Sequence, residues 1–468
     1  MSQLPTSAPD ERPASAKRYR RLVSHAAVLC GVTVLVLQSA FSPARSARVA
    51  AAPQAARADV APVASAPRPE PTPALPEWVQ AALGSATPSP APATTTQGGA
   101  ADDTAQAASA VLLPALAVPW PNAALPKWVR AQRDTTLWVG PEDEATAKGA
   151  VAADGYLRPL GPLVGGRLLV YQQSDRDTAP SGQAWVDTTS VAPSGAPPWL
   201  GGVDAAGVSA TLPAAPTRVS DAAAPPVSAL HVAIVDDASG KLLYGEDPYD
   251  HVPEASVTKI ATTIVAIERA PELAQRVSVT VSASDMASRD GSSVMGLEPG
   301  RKVALTTLLY GMMLPSGNDA AEQVAVTLAG SRERYVEWMN QEMDALGLKD
   351  THFVNPSGMD APGHYSSAYD MALLGRYAMR NGSFRQLAGA STYSADGFGP
   401  MYNLNRLLGL YKGADGVKIG YTDDAHKTIV ASATRGGHRV FVSLMHSEDL
   451  VTDGSRLLDW VWDSFNWS

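Results

Sequence analysis

A chain of 468 residues, 45% hydrophobic and 18% charged, is long enough for two or three domains with at least one sizeable core. Its formal net charge of -9 leaves no electrostatic footprint for nucleic acid, so none is expected as a partner. The single cysteine, Cys30, excludes an intrachain disulfide framework and a cysteine-based metal site.

Residues 1–21 form a basic cytoplasmic tail that ends in Lys17, Arg18, Arg20 and Arg21. The apolar run 22–41 behind it is long enough to cross a bilayer, and the charge order directs everything after Phe41 out of the cytoplasm. Ala-x-Ala-like sites follow within 44–58, so a cleaved signal peptide and an uncleaved signal anchor both stay open. The expected location is extracytoplasmic, either anchored in the membrane or released from it.

Residues 42–125 are Ala, Pro, Thr and Ser with few aromatics, the composition of a disordered tether. Ala74-Leu75-Pro76-Glu77-Trp78-Val79 recurs as Ala124-Leu125-Pro126-Lys127-Trp128-Val129, read as a duplicated linker rather than a docking element. Over 126–195 the short apolar stretches 136–139, 167–171 and 183–186 alternate with Gly and Pro turns, which predicts a small all-β barrel. A second linker, 196–226, leads to a C-terminal domain over 227–468.

That domain opens with strands at 231–236 and 241–244 across the turn Asp237-Ala238-Ser239-Gly240. A second hairpin joins 428–434 to 439–445, and 457–465 reads as an amphipathic helix. Mostly helical sequence lies between. Strands at both ends with helices in between predict an α+β domain, an antiparallel sheet carrying a helical lobe.

Three short stretches within it can carry chemistry. The first is Pro253-Glu254-Ala255-Ser256-Val257-Thr258-Lys259, followed by Ile260, Ile264, Val265 and Ile267 at helical spacing. Ser256 and Lys259 project from one face, so the amine can reach the hydroxyl. It is a base only when neutral, which burial and a second cation would favour. Free N–H groups at the helix start favour negative charge on an attacked oxygen. Alone, the pair reads equally as a helix cap beside a solvated lysine.

The second stretch follows an apolar helix marked by Leu305, Leu308, Leu309, Met312 and Met313, which Pro315 stops. Ser316-Gly317-Asn318 then forms a tight turn that can point into a cleft, or Asn318 and Asp319 merely cap the next helix. The third, Asp415-Gly416-Val417-Lys418-Ile419-Gly420-Tyr421-Thr422, reads as an edge strand whose glycine marks close approach of a ligand or another backbone. His352, His364, His426, His438 and His446 lack metal-ligand spacing, so neither metal nor cofactor is expected.

The order Ser-x-x-Lys, Ser-x-Asn, Lys-x-Gly is that of the penicillin-interacting serine enzymes. Further segments agree: Leu314-Pro315-Ser316-Gly317-Asn318-Asp319-Ala320-Ala321, Met295-Gly296-Leu297, the run from Gly347-Leu348-Lys349-Asp350 to Asn355-Pro356-Ser357-Gly358-Met359-Asp360, and Asn403-Leu404-Asn405-Arg406-Leu407-Leu408. From about residue 230 onward the chain resembles the D-alanyl-D-alanine carboxypeptidases, low-molecular-weight penicillin-binding proteins of serine peptidase family S11. The resemblance implies the penicillin-binding/β-lactamase-like transpeptidase fold, action on peptidoglycan stem peptides ending in D-Ala-D-Ala, and acylation by β-lactams. It implies Ser256 as the nucleophile, Lys259 as its base and Ser316 as the relay to the leaving amine. Asn318, Lys418, Ile419, Gly420 and Tyr421 would form the substrate-binding set. Lys418 would serve the substrate carboxylate and depress Lys259, and the backbone N–H groups of Ser256 and Tyr421 would be the oxyanion hole. Upstream, Ala184-Trp185-Val186-Asp187 and the residues to Val191 resemble the last strands of bacterial SH3-like domains, which often bind wall peptides; a plain spacer is the alternative.

One position departs from the family. Its threonine, whose hydroxyl donates to the substrate carboxylate, is Ile419 here, a lost charge-assisted bond of about 1.5–3 kcal/mol or one to two decades in rate. On a regular strand Thr422 points to the opposite face from Ile419, whereas Tyr421 shares it. Ala425-His426-Lys427-Thr428 also departs from the small Gly-containing segment usual there. The expectation is a weakened carboxypeptidase. A wall-binding or sensing protein without turnover is the alternative, and a class A β-lactamase is disfavoured by the lack of a Glu-x-x-x-Asn loop.

Overall fold

The computed structural model describes residues 125–173, 182–197, 200 and 214–467. The apolar run 22–41 and the tether lie outside these residues; among the described ones, no helix is long and apolar enough to cross a membrane.

Seven short strands come first: β1 (Trp128–Ala131), β2 (Thr135–Trp138), β3 (Ala147–Val151), β4 (Tyr156–Val164), β5 (Arg167–Gln172), β6 (Gly182–Asp187) and β7 (Val191–Ser194). They form one antiparallel sheet in the order β3-β2-β6-β5-β4-β1-β7. Alternating residues such as Leu137, Leu157, Leu168, Val170, Ala184 and Val186 point inward and make a small core of their own. This sheet is fastened to the rest of the chain by polar groups. The Arg158–Glu342 ion pair is buried at 3.1 Å, Trp128 Nε1 donates to Ala345 O, and Gln183 Nε2 donates to Glu268 O.

In the remainder, β8 (Thr217–Arg218) is followed by β9 (His231–Asp236), β10 (Leu242–Glu246), β11 (Arg276–Ser278), β12 (Lys302–Ala304), β13 (Thr392–Tyr393), β14 (Met401–Tyr402), β15 (Ala414–Thr422), β16 (His426–Arg435), β17 (His438–Ser447) and β18 (Phe465–Asn466). The main sheet has the order β10-β9-β17-β16-β15, antiparallel throughout, with β15 on an edge. β8 pairs with β18, so the chain segment just before 227 is already tied to the C terminus.

The helices are α1 (Lys259–Arg269), α2 (Ala283–Asp290), α3 (Leu305–Met313), α4 (Asn318–Ala329), α5 (Arg332–Leu346), α6 (Ala368–Ala378), α7 (Gly382–Gly389), the turn α8 (Leu407–Leu410) and α9 (Leu450–Ser464). Strand periodicity sorts the sheet's side chains onto two cores. Ala233, Val235, Val430 and Phe441 pack against the helical lobe with Ile260, Ile264 and Leu308. Val232, Ile234, Ile429, Ala431 and Val442 pack against Leu457, Leu458 and Val461 of α9. Helix α1 is buried along nearly its whole length, so its first turn is held from every side.

The C-terminal helix starts seven residues before the apolar stripe that predicts it. Asp449 caps it through Thr452 N, and the buried Asp453 accepts from Ser228 N and Ala229 N. Polar anchoring, invisible to hydrophobic spacing, supplies those first two turns.

Candidate active site

Ser256 stands in a 3-10 turn, Ala255–Thr258, and the α-helix proper begins at Lys259. The turn is tight because Ala255 has φ +53, a left-handed conformation that costs a residue with a Cβ about 1–3 kcal/mol. Lys259, fully buried, places Nζ 2.7 Å from Ser256 Oγ, 2.7 Å from Asn318 Oδ1 and 2.5 Å from Ser357 O. Burial, and then the nearby Lys418, hold its pKa well below the usual lysine range, against the opposing pull of Glu322 and Asp319.

A neutral amine has two N–H donors and one lone pair. The two carbonyl oxygens can only accept, so they take the two donors. The lone pair is left for Ser256, whose hydroxyl is the one partner able to donate. The arrangement is therefore a nucleophile aimed at its own base.

Lys418 Nζ lies 3.1 Å from Ser316 Oγ and 2.8 Å from Ile419 O. Burial lowers its pKa to about 7. Ser316 sits at φ +64 in the turn between α3 and α4, and its neighbours are pinned by the loop at 292–297. Asn318 Nδ2 donates to Ser292 Oγ at 3.1 Å, Asn318 N to Ser293 O, and Ser293 Oγ to Pro315 O. Neither Asn318 nor Asp319 caps α4; the N-cap is Gly317, with no side-chain cap bond. The Asp319 carboxylate accepts the N–H of Ala320 in its own helix turn at 2.9 Å and those of Met295, Gly296 and Leu297 at 2.9, 3.0 and 2.9 Å.

Gly420 brings the edge strand against the serine. A Cβ there would lie 2.7 Å from Ser256 N and 2.5 Å from Thr428 Oγ1, so any other residue would force the strand away. Ile419 O lies on the strand's free edge, where it meets Lys418 Nζ, and by strand alternation Tyr421 N–H points the same way. Ser256 N therefore lies against Gly420, one residue before Tyr421.

Across β15 the register pairs Lys418 with Val430 and Gly420 with Thr428 on one face, Ile419 with Ile429 and Tyr421 with Lys427 on the other. The Ile419 side chain is half-buried in the core against α9. Tyr421 is 62% exposed, with its hydroxyl on Asp423 at 3.2 Å. Thr422 shares the face of Lys418 and donates to Asp360 Oδ1 at 2.8 Å.

The site thus brings Ser256, Lys259, Ser316, Asn318, Lys418 and Gly420 together and turns the side chains of Ile419 and Tyr421 away. Two further contributors carry no chemical signature. Ser357 acts through its carbonyl, and Gly358, at φ +83, would set a Cβ 2.0 Å from Ala255 O. The available signal is the turn chemistry of Asn355-Pro356-Ser357-Gly358. Asn355 Oδ1 accepts Ser357 N, Gly358 N and Met359 N at 3.1, 2.7 and 3.2 Å. Among the described residues no three His, Cys, Asp or Glu groups are placed to hold a metal.

Residues 218–449 match the family model of D-alanyl-D-alanine carboxypeptidase. A D-alanyl-D-alanine carboxypeptidase of Bacillus subtilis is 37% identical over 212 residues, 44% of this chain and 54% of that protein. One from Mycobacterium tuberculosis is 35% identical over 240 residues, 48% of this chain and 80% of that one. Among solved structures, a serine-to-alanine variant of a Streptomyces DD-transpeptidase superposes with a TM-score of 0.50 at 29% identity, covering 51% of this chain and 99% of that one. The chain spans about half the length of the Bacillus relative and four fifths of the mycobacterial one. Over its C-terminal half, this chain belongs to the D-alanyl-D-alanine carboxypeptidase family of serine peptidases.

Proposed function

We propose that the chain is a serine D,D-carboxypeptidase that removes the terminal D-alanine of peptidoglycan stem peptides. The observation that carries this reading is the buried, pKa-depressed Lys259 amine with its lone pair left to Ser256. Ser256 Oγ attacks the carbonyl carbon between the two D-alanines as its proton passes to Lys259 Nζ. The developing oxyanion is met by the N–H groups of Ser256 and Tyr421. Collapse breaks the peptide bond, and the proton held by Lys259 passes through Ser316, whose hydroxyl touches Lys418, to the leaving amine, so Lys259 is neutral again. Water then attacks the acyl-enzyme, Lys259 accepts its proton, and the shortened stem peptide leaves with Ser256 restored. β-Lactams would acylate the same oxygen.

Lys418 is the cation available to the substrate's terminal carboxylate. Ile419 offers no donor there, so turnover is weakened but retained. Residues 22–41 carry the catalytic part to the outer face of the membrane, as anchor or as signal peptide. The seven-stranded sheet serves as an SH3-like module that holds the enzyme on the wall.

The test is D-alanine release from diacetyl-lysyl-D-Ala-D-Ala by residues 42–468, beside Ser256→Ala. Release from the wild type that vanishes in the variant supports the reading. A folded wild type that binds peptidoglycan but releases no D-alanine overturns it in favour of a binding protein.

A further inference from the structure

We propose that Glu254 and His364 form a buried positioning pair that holds the turn carrying Ser256. This rests on the reading of Ser256 as nucleophile. Glu254 lies two residues ahead of it, and both side chains of the pair are almost wholly buried, at 0% and 2% exposure. Glu254 Oε1 lies 2.7 Å from His364 Nε2 and accepts the Thr258 hydroxyl at 2.6 Å.

The tautomer of His364 follows from its other nitrogen. Nδ1 accepts Val354 N–H at 3.0 Å, so the ring proton is on Nε2 and is donated to Glu254. A second proton on Nδ1 would face the Val354 N–H. The pair is therefore a carboxylate held by a neutral imidazole.

Three segments of the chain meet at this pair, and each touches the reaction centre. His364 ties the turn to the 354–358 segment, whose Ser357 carbonyl orients Lys259. Thr258 Oγ1 is also 2.9 Å from Ala255 O, the carbonyl of the residue at φ +53. Glu254 O accepts Thr428 Oγ1 at 2.9 Å, which links the turn to the strand beneath Gly420. The pair thus fixes Ser256 relative to both its base and its oxyanion donors.

The arrangement is a poor one for stability alone. Glu254 Oε2 is buried without a hydrogen-bond partner, and a buried carboxylate with one unsatisfied oxygen stabilises a fold less than an apolar side chain of the same size. A group retained against that cost is best explained by the geometry it imposes on Ala255 and Ser256.

The test compares Glu254→Gln, Glu254→Met, His364→Ala and the double variant Glu254→Met/His364→Met. Acylation by a fluorescent penicillin, kcat and KM for D-alanine release, and thermal unfolding are read on each. Glu254→Gln keeps both acceptor contacts and is expected within about threefold of wild type. Glu254→Met and His364→Ala are expected to lose about 10- to 100-fold in kcat and acylation rate, with KM within about threefold. The double variant is expected to lose no more than the worse single variant. The double variant, which leaves neither member of the pair buried without its partner, should melt within a few degrees of wild type, and Glu254→Met, which strips the buried His364 Nε2–H of its acceptor, should melt lower. A Glu254→Met variant acylated within threefold of wild type overturns the proposal, as does a rate loss that appears only where thermal stability is lost. Where Glu254→Met does not fold, His364→Ala decides on the same criteria. A wild type with neither penicillin labelling nor D-alanine release would instead sink the carboxypeptidase reading.

Discussion

Replacing Gly420 by alanine adds one methyl group at the tightest point of the site. Its φ lies outside the left-handed range, so alanine meets no backbone strain and the effect is purely one of contact. The new Cβ would lie 2.7 Å from Ser256 N, 2.5 Å from Thr428 Oγ1 and 2.9 Å from Ala255 Cβ. Ordinary contact needs close to 3.5 Å, so β15 must retreat by roughly 0.8 Å from the serine amide. In the proposed mechanism that amide and Tyr421 N–H are the two donors for the oxyanion, and loss of one such donor costs about 2.7–4 kcal/mol, or 10²–10³ in rate. Acylation by a fluorescent penicillin measures the step directly, with Gly149→Ala as a control because nothing lies within 4 Å of its Cβ. A Gly420→Ala protein that folds and is acylated within tenfold of wild type would refute the argument that glycine is there for backbone approach.

Other outcomes follow from the same geometry. Acylation needs Lys259 neutral and Lys418 charged: the rate rises as pH passes the depressed pKa of Lys259 and falls above about 7 as Lys418 loses its proton. A bell-shaped kcat/KM profile is expected, and Lys418→Arg, which stays charged, should lose the alkaline limb; an unchanged limb would assign it elsewhere. Ile419→Thr puts its hydroxyl on the face of β15 opposite Lys418, against α9, so kcat/KM for a free terminal carboxylate should stay within about threefold of wild type. A gain of tenfold or more on the free carboxylate that is absent on a C-terminally amidated peptide would show that the 419 side chain reaches the substrate after all. Arg158→Ala leaves Glu342 buried without its partner and should destabilise the protein by about 3–5 kcal/mol, a fall in Tm of roughly 10 °C or more by circular dichroism. A shift under 3 °C would show that the carboxylate finds another partner.

What the sequence makes legible is what depends on local spacing. Ser256 and Lys259 are three residues apart on one helical element, so their contact needs no tertiary information. Gly420 is legible because a glycine inside a strand demands a reason, and here the reason is Ser256 N. Hairpins announce themselves by alternation around a turn, which places the main sheet, although its strand order needs the whole fold. The opposite case is Ser357, which serves through a carbonyl that any residue type would supply. Thr258 and His364 are 106 residues apart, and Arg158 and Glu342 are 184 apart; nothing local in either segment announces the partner. The left-handed Ala255 is hidden for another reason: alanine is the residue a helix start would favour, so its sequence argues for the wrong conformation.

The two lysines show why the supporting residues matter as much as the reactive ones. Both are almost fully buried, and neither is hydrogen-bonded to a carboxylate among the described residues: Lys259 meets a hydroxyl, an amide oxygen and a carbonyl, Lys418 a hydroxyl and a carbonyl. A carboxylate in contact with Lys259 would return it to its charged form and end its use as a base. The nearest candidate by sequence, Asp319, is next to Asn318, yet its oxygens are occupied by four backbone N–H groups, that of Ala320 and three of the 295–297 segment. That loop therefore does two things at once: it pins the Ser316–Asn318 turn, and it keeps a negative charge turned away from the amine. Its effect on the chemistry is exerted through Lys259's protonation state, which no contact to substrate would reveal.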